Sequence, residues 1–599
     1  MRTIQKRLLI VALLVIVVGT HAASAATIKV GLAQTVIDDT LAANRDKIIK
    51  FLGRAKSEGC QLVIFPEGAL YWADVAKHKP SKAQVDAAMA RIGQAADSQD
   101  MYVIFGVGYR LTDTGQYVNW GAVYDPDGRR ILFYRKNAQV PQRFYVHDIP
   151  VNLSICSDRG YLEHSDLPCL VRNSQVIIDI SGGHGGDDGR PDLRWIRYRP
   201  WATRTGAYVI VCNPVHHDTD FMGHSPWGGG SAIVRPDGSL QASRTYEPDV
   251  LVVEDIDTSK VTRTLADRRR RHPLLGPFWD MGAKLLKGAK VDLVPDVKPY
   301  QSAQRDISIA AAQIMCSMKI SDNVRKITEY IHKAADAGAD IVVFPELAVT
   351  GLWEHAVAAA DQRDLDAALN RIRKEADSAN VYAIVGMPYF VDGRRYNCAF
   401  AIGDDGAIKT RYAQISAGGD GLFEPGLSAG SMWFELKGVQ SIVTIGSDAN
   451  WVEVADLAAA RGMYMHFHIT SETYSSADAT TLGRQRNLLM LMYAKYGAVV
   501  NAASGPDSPS GGISMIVSRE GGHNKPAPPG VEYYLPYQTS VVQRVGSSET
   551  MIIATRRTQR SNDMDLARYW RNRNRRNRPQ SGWYDWIKLG ASLIRGGGH

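Results

Sequence analysis

Short apolar runs rich in β-branched residues alternate along the chain with longer stretches of amphipathic character. The run "QLVIFPEGAL" at 61–70, for example, follows the amphipathic stretch "NRDKIIKFLGRAKSEG" at 44–59. Apolar runs of this length are typical of buried strands, and the amphipathic stretches are typical of helices that cover a sheet. The alternation predicts an α/β fold with a buried sheet.

This alternation occurs twice. Residues 31–70 align with residues 310–349 without a gap, so that Glu67 falls on Glu346 at a fixed offset. Identical residues at one offset over some 40 positions are hard to reach by chance, and later strand-like runs also have counterparts. The chain is therefore predicted to be a tandem duplication.

Each repeat ends in a basic and aromatic arm. The segment "RRRRHPLLGPFWDMGAKLLKG" at 268–288 resembles "RRNRPQSGWYDWIKLGASLIRG" at 575–596. Residues 556–599 hold eleven Lys or Arg against three Asp, so the net charge of +8 lies mainly in an arm. Because the body of the chain is slightly acidic, we expect no nucleic-acid partner. Duplication of the arm favours packing across the neighbouring repeat, with contact to a membrane surface as the alternative.

The first 25 residues have the order of a secretory signal peptide. Basic residues precede the apolar run at 8–18, and the small residues Ala23 and Ala25 follow it. We expect cleavage after Ala25 and a periplasmic or secreted protein. The alternative is an uncleaved anchor, but the run is shorter than the ~20 residues that a spanning helix needs.

The repeats and the arms divide the chain into five parts. These parts are a signal peptide at 1–25, a first domain at 26–262, an arm and linker at 263–305, a second domain at 306–556 and a C-terminal arm at 557–599. A hydrophobic fraction of 45% and a charged fraction of 22% are typical of globular proteins, which excludes a disordered chain and a polytopic membrane protein.

The six cysteines are scattered through apolar segments rather than spaced as a disulfide framework. We expect most of them to be buried free thiols, although an exported chain meets oxidising conditions. No group of His and Cys residues has the spacing of a zinc site, so neither a metal nor an organic cofactor is expected.

Three strand-like runs of the first repeat end on residues that carry chemistry. "LVIFPE" ends on Glu67, "RRILFYRK" ends on Lys136, and "PVNLSIC" ends on Cys156 at a sharp turn. A thiolate is the reactive form of cysteine, a nearby ammonium lowers the pKa of the thiol, and a carboxylate can accept its proton. Each residue alone has a plain structural explanation, but together they indicate a nucleophile with its base and its cation.

The order Glu, Lys, Cys in the settings "FPE", "YRK" and "ICSD" resembles the nitrilase superfamily of carbon-nitrogen hydrolases, and both repeats resemble it along nearly their whole length. The resemblance implies two αββα sandwich domains that pack as a pseudo-dimer within one chain. It also implies that Glu67 is the general base, Lys136 stabilises the tetrahedral intermediate and Cys156 is the nucleophile.

Three further residues follow the cysteine. The backbone N–H of Ser157 is expected to contact the oxyanion, and the resemblance implies that Asp158 and Glu163 brace the turn. The family usually carries a longer loop with a second glutamate between its lysine and its cysteine. Residues 137–155 contain no Glu, and Asp148 is a weak substitute.

The second repeat retains the predicted elements of the fold but lacks two of the three residues proposed to carry the chemistry. It retains Glu346, but Gly446 stands at the position of the nucleophile. The position of the lysine falls on Gln414 when the repeats are aligned without gaps, and on Arg411 when one gap is allowed. Glu424 lies where the family has its second glutamate. We expect a catalytically degenerate domain with a structural role, and a retained ligand-binding role is the alternative.

The sequence therefore predicts an exported thiol hydrolase that cleaves a non-peptide C–N bond of a small amide, or less readily a nitrile, through a thioester on Cys156. One alternative is an N-acyltransferase of the same superfamily, which passes the acyl group to an amine. The other is a binding or scaffold protein in which both halves are inactive. Further assembly into a homo-oligomer stays open.

Overall fold

The computed structural model describes residues 26–72, 80–110, 117–136, 143–182, 195–216, 227–289, 300–418, 421–505, 510–518, 533–534, 540–558 and 581–593. The predicted signal peptide lies outside these residues and stays a prediction. Most of the two segments at 182–195 and 216–227, which are rich in His, Asp and Gly, also lie outside the described residues.

Each repeat forms a sandwich of two mixed sheets. The strands of the first repeat are β1 (Thr27–Gln34), β2 (Leu62–Ile64), β3 (Tyr102–Arg110), β4 (Tyr117–Tyr124), β5 (Arg130–Arg135), β6 (Arg143–Val146), β7 (Ile149–Ile155), β8 (Val176–Ile180), β9 (Tyr208–Cys212), β10 (Val215–His216), β11 (Trp227–Gly228), β12 (Ala232–Val234), β13 (Leu240–Ser243) and β14 (Val250–Asp257). One sheet has the order β14-β1-β2-β3-β4-β5, the other has the order β13-β12-β9-β8-β7-β6, and β10 and β11 form a separate pair.

Helices lie outside both sheets and connect their strands. They are α1 (Leu41–Ser57), α2 (Lys82–Gln99), α3 (Leu162–Ser165), α4 (Leu167–Arg172) and α5 (Arg199–Thr205), followed in the linker by α6 (Thr264–Arg271) and α7 (Gly276–Leu285). The hydroxyl of Thr40 caps α1, and Ile48, Phe51, Leu52 and Ala55 form its buried stripe.

The second repeat has the same plan. Its strands are β15 (Asp306–Gln313), β16 (Ile341–Val343), β17 (Tyr382–Val391), β18 (Arg394–Ile402), β19 (Ile408–Ala413), β20 (Trp433–Leu436), β21 (Val439–Ile445), β22 (Met465–Thr470), β23 (Tyr496–Asn501), β24 (Met515–Ser518), β25 (Tyr533–Tyr534), β26 (Ser540–Arg544) and β27 (Thr550–Arg557). Its helices are α8 (Ile320–Asp336), α9 (Glu354–Ala359), α10 (Gln362–Ala379), α11 (Val452–Arg461), α12 (Ala477–Met490) and, in the C-terminal arm, α13 (Ser581–Leu593). The sheet orders are β19-β18-β17-β16-β15-β27 and β20-β21-β22-β23-β24-β26-β25.

Short 3-10 helices complete the description and include one equivalent pair. They are Cys156–Gly160, Thr258–Lys260, Gly430–Met432 and Gly446–Asn450. The first follows β7 directly, and the last follows β21 in the same way. The prediction of two tandem αββα sandwiches is confirmed.

The two sandwiches contact each other through their helices. Arg199 of α5 forms an ion pair of 2.7 Å with Asp478 of α12. In the two arms, the ring of Phe278 stacks on that of Trp586 with centroids 4.2 Å apart, and the indole N–H of Trp586 donates to the Phe278 carbonyl at 2.6 Å. Trp201 of the first domain belongs to the same buried apolar cluster as these arm residues and as residues of the second domain. This arrangement agrees with the pairing predicted within one chain.

All six cysteines are free and buried, as the sequence predicts. Burial raises the pKa of Cys60 to about 11 and the pKa of Cys169, Cys316 and Cys398 to about 12. The pKa of the Cys212 thiol is raised further by the same desolvation. These five thiols carry almost no thiolate near neutral pH, which leaves Cys156 as the candidate nucleophile.

Candidate functional site

Glu67 lies just past the end of β2, where the chain leaves the buried sheet. Its side chain is 4% exposed, and its Oε1 accepts hydrogen bonds from Lys136 Nζ at 2.6 Å and from Asn119 Nδ2 at 2.5 Å. A Cβ on Gly106 would lie 2.5 Å from the Glu67 Cα, so this neighbouring position of β3 admits only glycine. The carboxylate is thus held between two donors at the mouth of the sheet.

Lys136 follows the last residue of β5, as the sequence predicts. Its backbone N–H donates to the Asn119 carbonyl at 2.8 Å, which extends the pairing with β4 by one residue. Burial of the ammonium on its own lowers the pKa, but the electrostatic interactions with Cys156 and Glu67 outweigh this cost and raise the pKa of Lys136. Lys136 therefore stays a cation beside the carboxylate and the thiol.

Cys156 begins the short turn after β7. It is 6% exposed and has a φ of 51°, a left-handed conformation that costs a cysteine ~1–3 kcal/mol. Every residue of β7 is buried, so the strand fixes the start of the turn rigidly. The conformation turns the chain sharply where the thiol leaves the sheet.

Buried carboxylates hold this turn from two sides. Asp158 Oδ2 accepts from the Tyr134 hydroxyl at 2.8 Å and from the Ile155 N–H at 3.3 Å. From the neighbouring strand β8, Asp179 Oδ1 accepts the N–H of Cys156 at 2.9 Å. The backbone of the turn is therefore positioned by groups other than the thiol.

Asp179 also joins the turn to an arginine that the sequence does not single out. Its Oδ2 accepts from Arg159 Nη1 at 3.0 Å and from the Tyr198 hydroxyl at 3.1 Å. Arg159 Nη1 in turn donates to the Cys156 carbonyl at 2.8 Å. Burial raises the pKa of Asp179 to about 6, and Arg159 opposes that shift. Its carboxylate is thus ionised at neutral pH and faces the nucleophile's backbone.

The other predicted residues of the first repeat differ in their exposure and in their distance from Cys156. Ser157, the second residue of the turn, is partly exposed, whereas Glu163 is buried in α3. Asp148 lies exposed in the turn between β6 and β7, at the opposite end of β7 from Cys156. Seven strand residues correspond to ~23 Å, so the interpretation of Asp148 as a substitute for the second glutamate is wrong.

Gly182 lies on the other side of Glu67. A Cβ at Gly182 would lie 3.1 Å from Glu67 Oε2 and 2.3 Å from the ring of Trp72. The ring of Trp72 meets that of His216 edge to face with centroids 5.8 Å apart. Two aromatic side chains therefore lie on this side of the carboxylate.

In the second repeat, Gln414 occupies the place of Lys136. Its backbone N–H donates to the Asn397 carbonyl at 2.9 Å, as that of Lys136 does to Asn119. Its side chain donates to the Ile445 carbonyl at 3.0 Å and accepts from Asn397 Nδ2 at 3.0 Å. Arg411 is not the counterpart, because it pairs with the neighbouring strand three residues earlier.

Glu346 is enclosed by donors that leave no space for a nucleophile. Its Oε1 accepts from Asn397 Nδ2 at 2.6 Å, and its Oε2 accepts from both the N–H and the hydroxyl of Ser471 at 2.9 Å. A Cβ at Gly446 would lie 2.8 Å from both carboxylate oxygens. The enclosed glutamate is consistent with the prediction that the second repeat lacks the residues needed for catalysis.

Glu424 of the second repeat lies in the segment between β19 and β20. It is exposed, and its backbone N–H donates to the Arg395 carbonyl at 2.8 Å.

Two kinds of feature, a metal site and a membrane-spanning helix, are absent from the described residues. No group of three or more His, Cys, Asp or Glu side chains among them is arranged to hold a metal ion. No helix within the described ranges is both long and apolar enough to cross a membrane.

Comparison with known proteins assigns the family. The model of the Carbon-nitrogen hydrolase family matches the chain twice, at residues 29–265 and 308–531. The chain belongs to the carbon-nitrogen hydrolase family. Omega-amidase NIT2 of Bos taurus is 25% identical over 276 residues, which are 42% of this chain and 94% of that protein. Omega-amidase NIT2 of Homo sapiens is 25% identical over 273 residues, covering 41% of this chain and 93% of its own length.

Solved structures include two similar members of the superfamily. An amidase from Nesterenkonia sp. is 21% identical with a TM-score of 0.33, over 39% of this chain and 90% of its own. Nit3 of Saccharomyces cerevisiae is 19% identical with a TM-score of 0.34, over 39% and 92% of the two chains. The two matches of the family model show that the chain is built from two tandem domains of the carbon-nitrogen hydrolase family.

Proposed function

We propose that the first domain hydrolyses the C–N bond of small amides through a thioester on Cys156. The observation that carries the proposal is the ion pair of 2.6 Å between Lys136 and Glu67, which lies beside the turn that presents the thiol. The relatives support an amide rather than a nitrile, because the two curated relatives named above are omega-amidases. Export of the enzyme stays the prediction made from its first 25 residues.

The first half of the proposed reaction forms the thioester. Glu67 accepts the proton of the Cys156 thiol, and the thiolate attacks the carbonyl carbon of the amide. Negative charge develops on the carbonyl oxygen, where the Lys136 ammonium and the Ser157 N–H stabilise it; one such donor is typically worth ~3 kcal/mol. The C–N bond then breaks, and ammonia or an amine leaves with the proton that Glu67 returns.

The second half consumes water. Glu67 removes a proton from a water molecule as its oxygen attacks the thioester carbon. The C–S bond breaks, the carboxylic acid leaves, and the thiol regains its proton. Glu67 serves as base in both halves, for which its position between Lys136 and Asn119 suits it. With the amide and one water molecule as reactants, the proton transfers through Glu67 balance the reaction.

The second domain has a structural role in this proposal. Gly446 has no side chain that could attack a substrate, and both oxygens of Glu346 accept hydrogen bonds, Oε1 from Asn397 and Oε2 from Ser471. Its helices α11 and α12 instead provide surface against which the first domain packs.

A panel of small amides tests the proposal. We expect the purified full chain to release ammonia from at least one primary amide of an aliphatic or dicarboxylic acid, with the matching acid as product. Cys156→Ala protein purified in the same way controls for a contaminating amidase. Product formed only when an amine such as hydroxylamine is added would instead identify an acyltransferase. No turnover of amides or nitriles under either condition would favour the scaffold alternative.

A further inference from the structure

Both peptide groups of the candidate nucleophile are held by one buried ion pair. The carboxylate of Asp179 accepts the N–H of Cys156 at 2.9 Å, and the guanidinium of Arg159 donates to the Cys156 carbonyl at 2.8 Å. The two side chains meet at 3.0 Å, with exposed fractions of 11% for Arg159 and 0% for Asp179. A single pair of side chains therefore binds the backbone of Cys156 on both sides of its Cα.

Further contacts fix the position of this ion pair. The hydroxyl of Tyr198 donates to Asp179 Oδ2 at 3.1 Å, and Arg159 Nη1 also donates to the Ser181 hydroxyl at 3.3 Å. The guanidinium lies over the ring of Tyr198, 5.2 Å from its centroid, in a cation–π contact. Arg159 is thus held from several sides in the position from which it contacts the Cys156 carbonyl.

The carbonyl that Arg159 contacts belongs to the peptide bond between Cys156 and Ser157. A peptide group is planar and almost always trans, so its N–H points away from its carbonyl. The contact that fixes the direction of the Cys156 carbonyl therefore also fixes the direction of the Ser157 N–H, which is the predicted oxyanion donor. A cation at the carbonyl oxygen also polarises the peptide group, which makes its N–H a stronger donor.

The second repeat forms the same turn without this ion pair. Asp448 supports that turn as Asp158 supports the first, since each accepts from a tyrosine hydroxyl and from the N–H of the residue before the turn. Ala449 stands where the first repeat has its arginine, and the strand register puts His468 at the position of Asp179. The carboxylate within the turn thus accompanies the fold, whereas the ion pair accompanies the thiol.

We propose that Arg159 and Asp179 are positioning residues that direct the Ser157 N–H toward the oxyanion of the tetrahedral intermediate. Neither side chain needs to touch the substrate, because both act through the backbone of Cys156. This role rests on the proposed hydrolysis at Cys156. It gives a function to the carboxylate of β8, which has no counterpart in the second repeat.

The variant Arg159→Met, in the full chain and with the best amide of the panel, tests the proposal. We expect kcat to fall about tenfold to a hundredfold while KM changes by less than about threefold, because the N–H is needed mainly in the transition state. Arg263→Met is the matched control, since Arg263 donates to the Cys169 carbonyl at 2.7 Å and pairs with Asp267 at 2.8 Å. Its kcat should stay within about twofold of the wild type.

A reaction of the thiol that forms no oxyanion separates positioning of the N–H from displacement of the thiol. Methyl methanethiosulfonate transfers its methylthio group to the Cys156 sulfur as methanesulfinate leaves, so no carbonyl oxygen gains charge. At a pH where this rate has reached its plateau, Arg159→Met and the wild type should agree within about threefold. A rate that falls as far as kcat does would show that the thiol itself is displaced and would overturn the proposal.

Asp179→Asn tests the other member of the pair. It keeps an acceptor for the Cys156 N–H but removes the charge that holds Arg159, so kcat should fall about tenfold or more. In the Arg159→Met background the same change should cost less than about threefold, because the two residues act as one unit. If Arg159→Met does not fold, Asp179→Asn decides. Wild-type kcat in both single variants would overturn this proposal alone, whereas no turnover by the wild type would reject the proposed hydrolysis and this role with it.

Discussion

Cys156→Ala is expected to reduce amide hydrolysis about 10⁴-fold or more, to the rate of the uncatalysed background. The reason is that the proposed bond between enzyme and acyl group forms at this sulfur, and no other thiol can replace it. The other five cysteines are buried, and burial raises the pKa of each of these thiols above its ordinary value. Steady-state release of ammonia from the best amide of the panel measures the loss.

The same substitution should leave the fold intact. The backbone of the turn is held by the carboxylates of Asp158 and Asp179, and neither contact uses the thiol. Thermal unfolding within a few degrees of the wild type is therefore expected. Cys60→Ala is the matched control, since Cys60 is also a buried cysteine of the first domain but lies two residues before β2. Loss of activity in Cys60→Ala, or its retention in Cys156→Ala, would contradict the assignment.

Arg269→Met is expected to destabilise the protein by about 3–5 kcal/mol, the largest effect on stability that the structure indicates. Arg269 Nη1 donates to Asp166 at 2.7 Å, and its Nε and Nη2 bind both oxygens of Glu453 at 3.0 Å and 2.7 Å. All three side chains are fully buried. Replacing the guanidinium with an apolar side chain of similar length leaves Glu453 as a buried carboxylate without its cation.

The ion network also connects the two domains. Asp166 belongs to the first domain, Glu453 to the second and Arg269 to the linker between them. Burial on its own raises the pKa of Asp166, but Arg204 and Arg269 outweigh it, so the pKa is lower than in an unfolded chain. Stability from this group is thus present above the unfolded pKa and is lost as the pH falls. Arg269→Met should weaken that contribution and make unfolding begin at a higher pH.

Urea unfolding of the full chain measures the effect, with Arg270→Met as the matched control. Arg270 is the next residue of the same helix, is 39% exposed and approaches Asp280 only at 3.6 Å, so its loss should cost less than about 1 kcal/mol. The double variant Arg269→Met/Glu453→Gln removes the unpaired charge and should recover part of the lost stability. Equal unfolding midpoints for the two single variants would show that the buried ion network does not stabilise the protein.

Much of the fold and the core of the candidate site are predictable from the sequence. The repeat, the strand ends at Glu67 and Lys136, and the turn at Cys156 are all local features, because each depends on a few neighbouring residues. The second repeat adds information, since it has Asn397 at the position equivalent to Asn119 and Tyr412 at the position equivalent to Tyr134. Those identities are the signal that could have identified Asn119 and Tyr134 as supports of the site.

Other parts of the site depend on the register between distant segments. Asp179 meets Cys156 because β8 pairs with β7 in one register, which puts Ser154 opposite Asp179. The choice between Gln414 and Arg411 was open for the same reason and is decided by the pairing of β19 with β18. Asp148 was a wrong substitute because its distance from Cys156 in space follows from the length of β7, although the two residues are close in sequence.

The sequence also does not predict which arginine of the linker is buried. Arg269 is one of four consecutive arginines, and no periodicity in that run indicates which one is buried. Only the packing of α6 between the two domains singles it out. Its role in joining the domains therefore appears only in the folded chain.

The central claim is that the acyl group of the substrate is carried by Cys156. Acid quenching of the full chain during turnover of its best amide, followed by peptide mass spectrometry, tests this claim most directly. The account predicts that the peptide containing Cys156 gains the mass of the acyl group, that hydroxylamine removes this mass, and that no other peptide gains it. Turnover that continues in Cys156→Ala, with no acyl group on Cys156 in the wild type, would contradict the account.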